Sequence, residues 1–339
     1  VPLRLETEIL TLKTRHPFVI ARGSQPEYRT VWVRLVDDDG VEGWGEAAST
    51  RYYGETADSA LAALRTYGEQ LPGDPLDLER SEAGWKAQLG GNASARAALS
   101  AALHDLAGKR LGVPVYRLWG LDASAAPKST FTIGIGTPEQ MRAKVREAAE
   151  YPILKIKLGT DRDVELLDAI RGETDRELRV DANCGWTVKQ AIAMLPVLEE
   201  FKVTVLEQPL VPTDIDGLGL IRRRASIPLI ADESCVTTAD IGKLAGNVDG
   251  INIKLAKCGS LREAIRMIAA ARALNMMVMV GCMIESSIGI TAAAHFTPLV
   301  DIVDLDGAAL LAEDPFSGAS ITGGQVRLPD GPGLGLTRR

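Results

Sequence analysis

Two different patterns of hydrophobic and polar positions divide the chain. Over residues 3–11 and 31–48 apolar and polar side chains alternate, the period of half-buried strands, and Asp38-Asp39-Gly40 supplies a hairpin turn within the second run. Residues 15–24, from Arg15 to Ser24, fit neither strand nor helix, and their Pro17 and Gly23 suit a mobile lid. Helical spacing follows over 56–70 and 93–111, the second run stopping near Gly112 and Pro114. Residues 1–120 therefore predict an α+β domain.

From about residue 125 the pattern switches to short apolar runs alternating with amphipathic ones. Strands are predicted at 130–135, 153–158, 178–182, 203–207, 228–232, 251–254, 277–281 and 302–306, with helical stretches such as 138–150, 163–171, 187–200, 239–245, 261–274 and 286–295 between them. Eight strands alternating with helices over 125–310 predict an α/β fold, a modified TIM barrel of (β/α)7β form. An open doubly wound sheet is the alternative, but no Gly-x-Gly-x-x-Gly follows the first strand. Residues 311–339 carry no eighth helix and are expected to return to the first domain.

Charge changes this picture at the strand ends. In Ile153-Leu154-Lys155-Ile156-Lys157-Leu158, the three apolar residues after Ile153 share one face and the two lysines the other. A lone Lys-x-Lys fits an edge strand with one solvated face. Here, however, Asp181, Glu207 and Asp232 close the next three apolar runs at spacings of 26, 26 and 25 residues from Lys155 onward, Lys254 closes the sixth, and Asp304 and Asp306 share a face of the eighth. Side chains gathered at the carboxyl ends of barrel strands are where such folds place their chemistry.

Composition narrows the classes of function. With 46% hydrophobic and 24% charged residues among 339, the chain can bury a large core. A net charge of −7 and a pI near 5.2 speak against a broad nucleic-acid or anionic-membrane surface. No apolar run reaches the roughly 20 residues of a membrane span. Cys184, Cys235, Cys258 and Cys282 lack Cys-x-x-Cys spacing, so free thiols in a reducing cytoplasm are expected. The start at Val1 without Met leaves a removed leader open, and homo-oligomer formation is open as well.

Three carboxylates on successive strand ends form an oxygen cage suited to Mg²⁺. An Asp at a strand-to-helix turn commonly caps the helix, but three in consecutive units, flanked by lysines, favour the metal. Lys155 beside Lys157 and a divalent cation would lower the pKa of Lys157 and make it a base. Lys254, from the sixth strand, stands roughly opposite the second strand, so two bases could face one carbon and invert it. Asp304 and Asp306 call for a cation, either a second metal, a substrate ammonium or a structural Lys or Arg. Glu285, just past the seventh strand, reads as a hydrogen-bond partner of the site or a helix cap. His16 falls in the lid, and His104 and His295 on helices read as packing residues.

Together these residues resemble the enolase superfamily, muconate-lactonizing subgroup, along essentially the whole chain. Lys155-Ile156-Lys157, Asp181 in Asp-Ala-Asn, Glu207 in Glu-Gln-Pro, Asp232 in Ala-Asp-Glu-Ser and Lys254 are similar to that subgroup's paired lysines, three metal ligands and opposing lysine. The segment from Ala95 to Gly120 is similar to the one preceding its barrel, with Ser100 where the family more often has an acid. The resemblance implies a capping function for residues 1–120 and abstraction of a proton α to a carboxylate, with Mg²⁺ holding the enediolate. Asp304-Leu305-Asp306 is similar to the pair by which dipeptide epimerases hold a substrate ammonium. Arg22 matches an arginine that reaches a glutamate side chain, and Thr132 a small polar residue at that pocket. The implied activity is epimerisation of a dipeptide, L-Ala-L-Glu or L-Ala-D-Glu, with Lys157 and Lys254 as acid/base catalysts and Lys155 stabilising negative charge. N-acylamino acid racemase and o-succinylbenzoate synthase are the alternatives within the superfamily. A metal- or peptide-binding barrel without turnover is the alternative outside it.

Overall fold

The first alternating stretch becomes a three-stranded antiparallel sheet, Arg4–Leu12, Tyr28–Val36 and Glu42–Ala47, in the computed structural model, which describes residues 3–339. Positions 1 and 2 of the 1–120 span lie outside the described residues. Val31, Val33 and Leu35 on the central strand are fully buried against the helices Ala57–Gly68 and Ala93–Leu111. The second helix lies unusually close to the sheet because Gly43 and Gly45 face it. A Cβ at either position would collide with the carbonyl of Ala102 or Ala98.

Eight parallel strands follow in consecutive order: Phe131–Ile133, Ile153–Lys157, Glu177–Asp181, Val203–Glu207, Leu229–Ala231, Gly250–Ile253, Met277–Gly281 and Ile302–Asp304. The ring closes through a bridge between Ser129 and Val303, where Thr130 N–H donates to Val303 O at 3.1 Å. Leu154, Ile156, Leu178 and Val180 point outward into one continuous core beneath the helices. Helix starts follow the expected capping chemistry: Thr137 with Gln140, and Thr187 with Gln190, form capping boxes before Pro138–Glu147 and Val188–Glu200. The span between the fourth and fifth strands holds the helix Ile215–Arg222, whose Gly217 and Gly219 dilute its sequence signal. The barrel fold expected from the strand count is thus the one observed.

The register sets the site. Lys157 pairs with Asp181, and Asp181 with Glu207, so the charged residues lie in one layer at the carboxyl ends of adjacent strands. Above that layer the stretch expected as a loop forms a short hairpin, Val19–Ile20 with Gly23–Ser24, and Ile135 N–H ties it to the first barrel strand through Val19 O. The tail runs back to the first sheet and its helix: Phe316 packs on Trp44 with ring centroids 5.2 Å apart, and Leu334 N–H donates to Asp105. Among the described residues no helix is long and apolar enough to cross a membrane.

Candidate active site

Asp181, Glu207 and Asp232 each present a carboxylate oxygen within 4.8 Å of the other two, all three being buried. Each has its second oxygen occupied. Asp181 Oδ1 accepts from Asn183 N–H at 2.8 Å, Glu207 Oε1 from the Asn252 amide at 2.8 Å, and Asp232 Oδ1 from Lys257 Nζ at 2.5 Å. The remaining oxygens face the centre, where they meet lysines: Lys157 Nζ is 2.6 Å from Asp181 Oδ2, Lys155 Nζ 2.7 Å from Glu207 Oε2, and Lys254 Nζ 2.8 Å from Asp232 Oδ2. Three hard oxygen donors with a common focus fit a divalent cation such as Mg²⁺.

The electrostatics reflect crowding more than repulsion between lysines. Burial would lower the Lys155 pKa, but Asp304, Glu207 and Asp181 raise it well above its ordinary value. Burial would lower Lys254 too, but Asp232, Glu207 and Glu233 together raise it. Lys155 and Lys254 thus keep their charge because each ammonium has carboxylate partners. Glu207 is pushed up to about 7 by burial and by Asp181, whereas Asp232 is held well below the carboxylate range because Lys254 and Lys257 outweigh its burial.

The eighth strand ends at Asp304, and Asp306, expected on the same strand face, lies beyond it at the start of the turn Gly307–Leu310. Asp304 already has a cation, since Lys155 Nζ donates to its Oδ2 at 2.7 Å and Thr130 Oγ1 donates to its Oδ1. Asp306 has no ion-pair partner among the described residues; it accepts from Thr132 N–H at 2.5 Å, and burial and Asp304 push it up to about 7. Thr132 therefore shapes this carboxylate pair as well as lining the cavity.

Lys155, Lys157, Lys254, Asp304, Asp306 and Arg22 all border one cavity of about 580 Å³ beneath the lid and the first sheet. Arg22, at the hairpin turn, is fastened across it. Its Nη1 donates to Glu233 Oε1 at 2.7 Å and to Asn183 O at 2.8 Å, and its guanidinium stacks 4.1 Å over the Tyr52 ring. Glu285 faces its own backbone, accepting from Met283 N–H, and is pushed up to about 8 by burial and Glu46. The three histidines stand apart: His16 pairs with Glu147, His104 donates from Nδ1 to the Ser100 carbonyl, and His295 bridges Tyr116 and Leu334.

Sequence reasoning passed over Asn183, Asn252, Glu233 and Lys257. Asn252 alternates with Lys254 on one strand and so had to share its face. Lys257 follows Lys254 by three residues within the turn Leu255–Cys258, a spacing that places it one helical turn behind the site. Asn183 reaches Asp181 from only two residues away, whereas the contact of Glu233 with Arg22 depends on the placement of residues 15–24 and carries no local signal.

Known proteins bear on this geometry. Residues 4–120 match the mandelate racemase / muconate lactonizing enzyme N-terminal domain, and residues 139–339 the enolase C-terminal domain-like family. The chain is 42% identical to the L-Ala-D/L-Glu epimerase of Bacteroides thetaiotaomicron over 96% of this chain and 86% of that protein. It is 39% identical to an L-Ala-D/L-amino acid epimerase of a Maribacter species, over 99% of both. A dipeptide epimerase of Enterococcus faecalis, solved in complex with Mg and L-Leu-L-Tyr, superposes with a TM-score of 0.94 at 30% identity, covering 98% of this chain and 99% of that one.

Proposed function

The chain belongs to the mandelate racemase / muconate lactonizing enzyme family of the enolase superfamily, and on that premise we propose that it is a Mg²⁺-dependent dipeptide epimerase. It inverts the Cα of the C-terminal residue, with L-Ala-L-Glu and L-Ala-D-Glu as the substrates its pocket fits best. The observation that carries this reading is the pair Lys157 and Lys254, on the second and sixth strands, bordering one cavity with three carboxylates between them and the ion-pair-free Asp306 at its wall. Relatives named as epimerases support it.

Asp181, Glu207 and Asp232 would hold the cation. When bound, it supplies a Lewis acid for the charge that accumulates on the substrate carboxylate as the Cα proton leaves. Lys157 and Lys254 then act from opposite faces: the neutral one takes the Cα proton, the protonated one returns a proton on the other side, and the configuration inverts. Lys155, tied to Asp181, Glu207 and Asp304, holds positive charge close to the carboxylate layer. Asp306, with Asp304 beside it, receives the substrate ammonium. Arg22 reaches a side-chain carboxylate with the edge of its guanidinium left by Glu233.

N-acylamino acid racemisation and succinylbenzoate synthesis fit less well. Their substrates bring no ammonium, and Asp306 would stay buried without a cation, at a cost of several kcal/mol if ionised. The four cysteines are free thiols, in keeping with action in the cytoplasm. The test is chiral separation of L-Ala-L-Glu incubated with the enzyme and Mg²⁺. Appearance of the L,D epimer, abolished by EDTA, is expected; racemisation of N-succinyl amino acids alone would overturn the assignment.

A further inference from the structure

Resting on the metal reading above, we propose that Lys257 is a positioning residue for the metal site: it fixes Asp232 as a one-oxygen ligand and thereby sets the affinity for the divalent ion. The side chain is fully inaccessible, although an ammonium in a protein interior is costly unless satisfied. Four oxygens surround its Nζ: Asp232 Oδ1 at 2.5 Å, Asp232 O at 2.6 Å, and the carbonyls of Cys235 and Asn252 at 3.0 Å each. An ammonium has three protons, so the shell is more than filled, and nothing is left over for substrate. Lys257 does not border the cavity that holds the other three lysines. It is therefore no acid or base of the reaction.

Its place in the ligand geometry is specific. The three carboxylates share one arrangement, an outer oxygen held by a support and an inner oxygen turned to the common focus. For Asp181 and Glu207 the support is neutral, a backbone N–H and an amide. For Asp232 alone it is a cation. The same ammonium grips Asn252 O, while the Asn252 side chain holds Glu207, so one buried charge steadies two of the three ligands. Charge-assisted bonds are the strong ones, and partners of metal ligands tune affinity by roughly 10–100-fold when removed.

The test uses Mn²⁺ alone as the probe, titrated calorimetrically into full-length wild type, Lys257→Met and Lys257→Gln, with circular dichroism and Tm recorded with and without the ion. Methionine removes charge and donors; glutamine keeps donors without charge. We expect Lys257→Met to bind roughly 10–100-fold more weakly and Lys257→Gln to lie between it and wild type. The rise in Tm on adding Mn²⁺ should shrink in the same order. Folded variants that bind Mn²⁺ within about threefold of wild type, with Tm lowered equally in both states, would make Lys257 a structural tether and overturn the proposal. Failure of both variants to fold even at saturating Mn²⁺ would overturn it too. Wild type that binds no Mn²⁺ would instead sink the metal reading beneath it.

Discussion

Asp304 and Asp306, two residues apart, meet opposite surroundings, and the proposed division of their work rests on that difference. Asp304 spends its charge on Lys155, while Asp306 is left with a backbone N–H and a neighbour of the same sign. Asp306→Asn is therefore expected to raise KM for L-Ala-L-Glu roughly 10-fold or more, the loss of a buried charge-assisted contact. The wild-type pH profile checks the same point. A carboxyl pushed up to about 7 takes its proton as pH falls through that value, so KM should climb below about pH 7, and the Asn variant should show a flatter KM profile. Arg22 is already paired with Glu233, so on the proposed reading it would favour an acidic side chain without demanding one. Arg22→Met should raise KM for L-Ala-L-Glu about 10-fold and leave that for L-Ala-L-Phe nearly unchanged. Equal losses on both peptides would place Arg22 in the lid's structure and not in recognition.

At the scale of elements, the lid and the second barrel strand meet at Gly159. This residue has φ +105°, and a Cβ there would lie 2.6 Å from Ala182 O and 2.7 Å from the Ala21 Cβ of the lid hairpin. Gly159→Ala should cost roughly 1–3 kcal/mol through forced backbone strain and push the hairpin off the barrel. The expected signs are a lower Tm and a raised KM; a variant with wild-type values for both would show that the hairpin does not rest on this glycine. The strands themselves were legible in the chain, because period two and terminal charges are local features, and strand register alone sets Lys157, Asp181 and Glu207 side by side, with Lys155 two residues below that row and Asp232 two beyond it. The supports were not. Lys155 meets Asp304 across 149 residues and Arg22 meets Glu233 across 211, contacts that only ring closure and lid placement create. The helix Ile215–Arg222 was hidden for a different reason, two glycines in eight residues.

At the scale of the whole molecule, one buried carboxylate joins the first sheet to the barrel. Glu46 accepts from Ser286 N–H and Oγ and from Gly289 N–H at the start of the helix Ser287–Ala294. Glu285 beside it is pushed up from 4.5 to about 8 by burial and by Glu46. An acid raised on folding contributes stability that is fully present below its unfolded pKa and is lost as pH climbs through the folded one. Between about pH 5 and pH 9, therefore, Tm should fall by several degrees, and Glu285→Gln should flatten that slope. An unchanged slope in the variant would locate the pH dependence elsewhere. The cavity lies between the first sheet and the barrel, and the proposed mechanism sets one lysine on each side of the reacting carbon. The most direct test of that arrangement is proton NMR of L-Ala-L-Glu and L-Ala-D-Glu in D₂O with Mg²⁺ and the Lys254→Ala enzyme. The expected result is no epimerisation, with exchange of the Cα proton surviving for one epimer and lost for the other. Loss of exchange from both epimers, in a folded enzyme, would contradict separate roles for the two lysines.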